Sequence, residues 1–215
     1  MPSVKPLASL ALLFLAGCST APSGLQIVDT AKAALDATPV CCSDLSKAQH
    51  VPLPREAVEI TIDQTNSQTF DFGGNKAFFK LYELPVFSQT YSILLSSFSA
   101  GARDDLALFI PRVAIYDADF HVTRFFDEKT LRNRGNDLER TIFFNPSNAK
   151  ERYVAIFGSD LSSSVERAYS LVTVQTMAAG PVIFNLYSGK DGRSTLRSSP
   201  AGKVRIEVQG LPHPP

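Results

Sequence analysis

The chain of 215 residues sets 21 Lys and Arg against 21 Asp and Glu, so no bulk charge draws it to nucleic acid or to an anionic surface. At 44% hydrophobic residues, with 15 Phe, it is too apolar for a disordered chain, and its length suits one domain of ordinary size with a real core. Trp is absent, which lowers, without excluding, any reading in which broad aromatic platforms stack on sugars or bases.

The N-terminus carries one early charge, Lys5, followed by an uncharged apolar run from Leu7 to Gly17. That run is well short of the ~20 residues a helix needs to cross a bilayer. A basic start, a short apolar core and small residues at its end are the layout of a secretory signal. Leu15-Ala16-Gly17-Cys18 resembles the lipobox of bacterial lipoproteins at all four positions. The resemblance implies that residues 1–17 are a lipoprotein signal peptide and that the Cys18 thiol carries a diacylglyceryl group. Two or more acyl chains hold a protein on a membrane without spanning it. Ser19 follows the cysteine, which is similar to the pattern for onward transport to the outer membrane. The expected location is the periplasm, with the lipid on Cys18 in the membrane.

From Cys18 to Pro54 the chain is rich in Ala, Ser, Thr and Pro, with one weak helical patch at 27–35, and reads as a tether. Cys41 and Cys42 are adjacent, which is not the spacing of a redox or zinc motif. An incidental pair in a mobile segment is the first reading; pairing with each other or with a partner chain remains open. Residues 55–215 are expected to form the folded domain.

Period-two alternation then begins at Val58-Glu59-Ile60-Thr61-Ile62. Turn chemistry covers Asn66–Asn75, and strands follow at Ala77–Glu83 and Tyr91–Phe98. Leu106–Tyr116 is a strand interrupted by Pro111, which belongs at an edge or bulge. Asp117-Ala118-Asp119 is a turn into Phe120–Phe126. Lys129–Leu138 reads as a loop, and Arg140–Asn145 and Tyr153–Phe157 as strands. Ser162–Ser164 suit the cap of a short helix over Val165–Tyr169, while Leu171–Thr176 equally suits a strand. Val182–Tyr187 and Val204–Val208 complete the set, with a Gly-Lys-Asp-Gly turn at 189–192. Eight or nine short strands with frequent turns predict an all-β antiparallel sandwich.

Few residues point to chemistry. The histidines are His50, His121 and His213, none paired at metal-ligand spacing, and no Gly-x-Ser-x-Gly elbow surrounds a serine. His121 reads as a solvent-side residue. Asp117 and Asp119, with Asp104-Asp105 nearby in sequence, lack the ordered spacing of a calcium loop and read as turn aspartates. Ser188–Gly192 lacks the flanking residues of a phosphate loop. No catalytic residue, metal site or cofactor site is expected.

The aromatic residues carry more. At Phe78-Phe79, Phe125-Phe126 and Phe143-Phe144, neighbours on a strand must point to opposite faces. One of each pair therefore needs an apolar contact outside the inter-sheet core: a helix, the tether, a partner or a ligand. Tyr82, Tyr116 and Tyr153 are the residues singled out for ligand binding.

Phe109-Ile110-Pro111-Arg112-Val113-Ala114-Ile115-Tyr116-Asp117, then Phe120, Thr123 and Phe125-Phe126, resembles the central motif of the maltose operon periplasmic protein family. Asn136-Asp137-Leu138-Glu139, Arg152–Phe157 and Asp160-Leu161 are similar to its next blocks, in order. The resemblance covers roughly residues 78–176. It implies a non-enzymatic accessory or binding protein of maltose and maltodextrin uptake, with maltodextrin or an outer-membrane porin or uptake component as partner. The alternative is a structural envelope lipoprotein that docks to a protein partner and takes no small ligand.

Overall fold

The computed structural model describes residues 21–102, 104–159, 164–179 and 182–211. The signal-like run, Cys18, Asp160–Ser163 and His213 lie outside them. In chain order the described residues form helix α1 (Gly24–Ala37) and strands β1 (Val51–Pro52), β2 (Val58–Ile62), β3 (Gln68–Asp71), β4 (Lys76–Glu83), β5 (Tyr91–Ala102), β6 (Asp105–Phe109) and β7 (Pro111–Asp117). There follow β8 (Val122–Phe126), β9 (Arg132–Arg134), β10 (Asp137–Phe144), β11 (Glu151–Gly158), β12 (Ser164–Ala179), β13 (Val182–Ser199) and β14 (Gly202–Gln209).

The strands make two sheets, as the alternation requires. The first has the order β1-β4-β11-β7-β8, with β3 also on β4. The second runs β12-β13-β6-β5-β10-β9, and β14 joins β5 to β2. All pairings are antiparallel except β1 with β4 and β13 with β6. The all-β sandwich expectation holds. Phe78 and Tyr82 of β4, Val113 and Ile115 of β7, and Val154 and Ile156 of β11 face Ile93 and Leu95 of β5, Ile142 and Phe144 of β10, and Val204 and Ile206 of β14. These positions alternate along every strand, so each sheet sends one side chain in two into a shared core. Pro111 is where the chain leaves the second sheet for the first, as the first residue of β7, a place that needs no ladder N–H.

Several local expectations are corrected. Residues 165–169 belong to β12, not to a helix, because each is paired across to β13. Gly189–Gly192 is not a turn: β13 runs straight through it, opposite Tyr169–Val172. Two short strands, β3 and β9, occupy stretches read as turn and loop.

The tether from 18 to 54 is also corrected over its described part. Ser23 caps α1 in a reciprocal box, its Oγ accepting from the Gln26 N–H at 3.2 Å and its own N–H donating to Gln26 Oε1 at 3.0 Å. Gly24 lies so close to β6 that a Cβ would come within 2.5 Å of the Leu106 backbone. The Leu25 N–H donates to Asp105, which also holds Arg197. Further on, Leu45, Ala48 and Leu53 are buried, and the Leu53 N–H donates to Glu83 O at 2.9 Å. Polar composition concealed a few well-placed apolar residues that dock the segment. Cys41 and Cys42 are disulfide-bonded to each other, and the Cys41 N–H donates to Thr69 O at 2.8 Å, so this pair sits on the domain.

Candidate functional site

The outer face of the first sheet, the side turned away from the inter-sheet core, is aromatic. The alternation that sends Phe78 inward sends Phe79 outward, and Phe126 inward leaves Phe125 outward. On this face Ala155 of β11 lies in register with Ala114 of β7, so the floor between strands is low. Leu45, Ala48 and Cys42 cover part of it. The remainder is an open groove of about 270 Å³, just below the ~300–1,000 Å³ usual for ligand pockets.

Its walls come from separate elements. Phe70 lies in β3, one residue before its end, and Phe72 lies in the turn that follows, its ring stacked on Phe157 at 3.8 Å and 7°. Phe125 of the edge strand β8 forms the other wall, 54% exposed and 6.3 Å from Phe157. Its cross-strand partner is Ala114, which is why the ring stands clear of the floor. Arg112, Asn75 and Asp71 bring polar groups to the groove. Arg112 Nε donates to Glu128 Oε2 at 3.0 Å, and that hydrogen bond holds the Glu128 carboxyl below the usual carboxylate range. Asn75 is fixed through its Nδ2 on Gly158 O at 3.2 Å. Flat apolar rings around a few oriented polar groups suit a ligand with both hydroxyl-bearing edges and C–H faces.

The three tyrosines divide. Tyr116 lines the groove, 6% exposed, and burial pushes its hydroxyl up to about 12. Tyr153 lies on the same face, in register with Tyr116, stacked on Phe120 at 4.3 Å with His50 edge-on at 5.3 Å. Tyr82 points the other way, into the inter-sheet core, where burial likewise raises it to about 12. The structure therefore brings two of the three together and separates the third. Phe120 carries this aromatic row through a φ of +61°, a conformation few side chains adopt. Phe70, Phe72 and Asn75 were not singled out from the sequence, and Arg112 stood there only within the motif resemblance; Phe-Asp-Phe ahead of Gly73-Gly74 is the pattern that marks Phe70 and Phe72.

Asp117, Asp119 and His121 also converge, their ligand atoms within 4.8 Å of one another. Asp117 Oδ1 accepts from the N–H groups of Asp119 and His121, both at 2.9 Å, and these bonds hold its carboxyl low. That is turn chemistry, as the sequence suggests. Asp105 serves elsewhere, at the start of α1.

A second, wider cavity of about 660 Å³ lies beneath α1, between Ile27, Thr30 and Ala34 on one side and Asp63, Thr65 and Phe78 on the other. No described helix is long and apolar enough to cross a membrane. Comparison with known proteins returned no matching family model, curated protein or solved structure.

Proposed function

We propose that this protein is a non-enzymatic lipoprotein of the periplasm, anchored to the outer membrane through lipid on Cys18, that takes a maltodextrin in the groove of Phe72, Tyr116, Phe125 and Phe157. The observation that carries the reading is this groove: rings at its sides and floor, polar groups from Arg112 and Asn75 at its edge. The sugar class rests on the motif resemblance, whose Phe109–Asp117 block supplies Arg112, Ala114 and Tyr116 of the groove.

Calorimetric titration of the chain from Ser19 to Pro215 with a maltodextrin series, and unrelated glycans as controls, tests it. Saturable heat that grows with chain length is expected, and Phe125→Ala weakens it about tenfold, the scale of losing one central aromatic contact. Absence of heat with every glycan refutes sugar binding. In that case the structural alternative stands, and crosslinking in the envelope is the way to find a protein partner.

A further inference from the structure

From Ala168 to Gly189 the sequence has no Asp, Glu, Lys or Arg, although such residues make up 20% of the whole chain. This run is the outer part of the β12–β13 hairpin, whose sixteen cross-strand pairs extend from Ser164↔Arg197 to Ala179↔Val182. Only the base of the hairpin is built into the sheet, through the parallel pairing of Thr195–Ser199 with Asp105–Phe109. Beyond Thr195, no described strand pairs with β13 on that side, and none pairs with the outer edge of β12. The hairpin is an arm with apolar side chains in the open: Val172, Val174, Met177, Ile183, Leu186 and Tyr187 are each 47–73% exposed. Both faces contribute, since Val174↔Tyr187 and Ala178↔Ile183 lie on one side, and Met177 and Leu186 on the other.

A two-stranded arm of this kind gains little stability in water, and edges bare of charge invite contact. The position of its base indicates what it meets. β13 runs parallel to β6, so residues before Thr195 extend past the Asp105 end of β6. The start of α1 is fixed at that same end: the Ala102 N–H donates to Pro22 O at 3.1 Å, the Leu25 N–H to Asp105, and Arg197 of β13 shares that carboxylate. Cys18 is three residues before Ala21, and three residues of chain reach at most about 11 Å. The start of the described chain, three residues after Cys18, and the arm therefore lie at the same end of β6.

We propose that the β12–β13 arm is a second membrane contact, which dips into the interfacial layer of the leaflet that holds the lipid on Cys18. Its orientation rests on the reading of Cys18 as the anchor; its affinity for lipid does not. The absence of charge matches an apolar layer, and Tyr187 has the ring-and-hydroxyl character that favours the membrane–water boundary. Unpaired edge N–H and C=O groups exclude a spanning arm, because hydrocarbon leaves them without partners, whereas the interface supplies water and headgroups.

The test uses the unlipidated chain from Ser19 to Pro215, which retains every element described above. With no Trp elsewhere, Tyr187→Trp provides a single fluorophore on an exposed site. On phosphatidylcholine vesicles its emission should shift to the blue and be quenched by bromine-labelled acyl chains. The binding should not weaken in high salt. Val174→Lys in the same background should weaken binding about tenfold or more, with the melting temperature unchanged because Val174 packs on nothing in the core. No blue shift at any lipid concentration overturns the proposal. So does binding seen only with phosphatidylglycerol and lost in salt, which is adsorption through basic residues. So does sedimentation without lipid showing dimers that Val174→Lys dissolves, which makes the arm a contact between copies. A mass spectrum lacking acylation on Cys18 would remove the anchor reading alone, since the vesicle experiment contains no such lipid.

Discussion

Removal of Glu151 should cost the protein about 3 kcal/mol and loosen the edge of the groove. Glu151 of β11 is 4% exposed at its side chain, and Arg124 of β8 reaches it with two prongs: Nε to Oε1 at 2.8 Å and Nη2 to Oε2 at 2.6 Å. Thr123 and Asn148 also donate to Oε1. The guanidinium lies over Phe144 at 4.8 Å, and its Nη1 donates to Phe143 O, so one cation ties the edge strand of the first sheet to β10 of the second. Breaking a buried pair from one side costs roughly 3–5 kcal/mol because the other charge stays behind. Arg124 is 25% exposed, which places Glu151→Ala at the low end, about 3 kcal/mol. At roughly 2–4 °C per kcal/mol for a domain of this size, the melting temperature should fall by about 6–12 °C. Circular-dichroism melts and urea titrations measure both. The double variant Arg124→Met with Glu151→Leu should recover most of the loss, since it leaves no orphan charge. A loss below about 1 kcal/mol for Glu151→Ala, the value of an exposed pair, would refute the reasoning. Phe125 follows Arg124 directly, so the same variant should also weaken any groove ligand.

Three further perturbations separate other parts of the account. Arg140 is 3% exposed, with Nε and Nη1 making no protein hydrogen bond and Nη2 donating to Asp127 O; its desolvation lowers its pKa. Arg140→Met should be neutral or stabilising by up to about 2 kcal/mol in urea titration, and a loss above ~2 kcal/mol would show that the cation is worth more than its burial costs. The Glu128 carboxyl is held low by Arg112, so its contribution is present above its unfolded value near 4.5 and is lost as pH falls through the depressed folded value. Melts from pH 7 down to roughly 3 should therefore decline less steeply in Glu128→Gln than in the parent; equal slopes would remove the pair from the pH account. Gly24→Ala should destabilise by about 1–3 kcal/mol, because the methyl group meets Leu106 backbone that cannot move aside. An unchanged melting temperature would mean that α1 does not dock as described.

What could be read from the sequence was whatever depended on alternation. The inner core positions, the sandwich class and the divergence of Phe78 from Phe79 follow from period two alone. The turn role of Asp117 was also readable, since an aspartate side chain acts over the next few residues. Features that depended on distant partners were hidden. Ser23, Leu45 and Leu53 sit in a stretch with linker composition, and only Gln26, the outer sheet face and Glu83 O reveal why it docks. Gly189–Gly192 has turn residues at three of its four positions, yet Tyr169–Val172 on the neighbouring strand keep it extended. The groove was half visible: Tyr116 and Phe125 stand in strands, whereas Phe72 enters through a turn whose path the sequence does not fix. Tyr82 follows Phe78 by four residues on β4, so the alternation that sends Phe78 inward also sends Tyr82 into the inter-sheet core.

The two candidate contacts lie where covering of the sheets runs out. Inner faces cover each other, and the outer face of the second sheet is largely polar along β2 and β14, with Glu59, Thr61, Lys203, Arg205 and Glu207. The outer face of the first sheet is apolar, and residues 42–48 with Phe70, Phe72 and Phe120 cover it only in part, leaving the groove. Among the described residues, no layer covers either face of the arm. If each open surface serves its own ligand, the two should be energetically separate, because groove and arm share no residue and distant sites add. Phe125→Ala should then leave vesicle binding of the Tyr187→Trp reporter within about twofold, and Val174→Lys should leave maltodextrin heats equally unchanged. A double variant measured in both assays closes the cycle. A departure from additivity larger than about 0.5 kcal/mol would mean that groove and arm communicate, and that the membrane is part of how the groove takes its ligand.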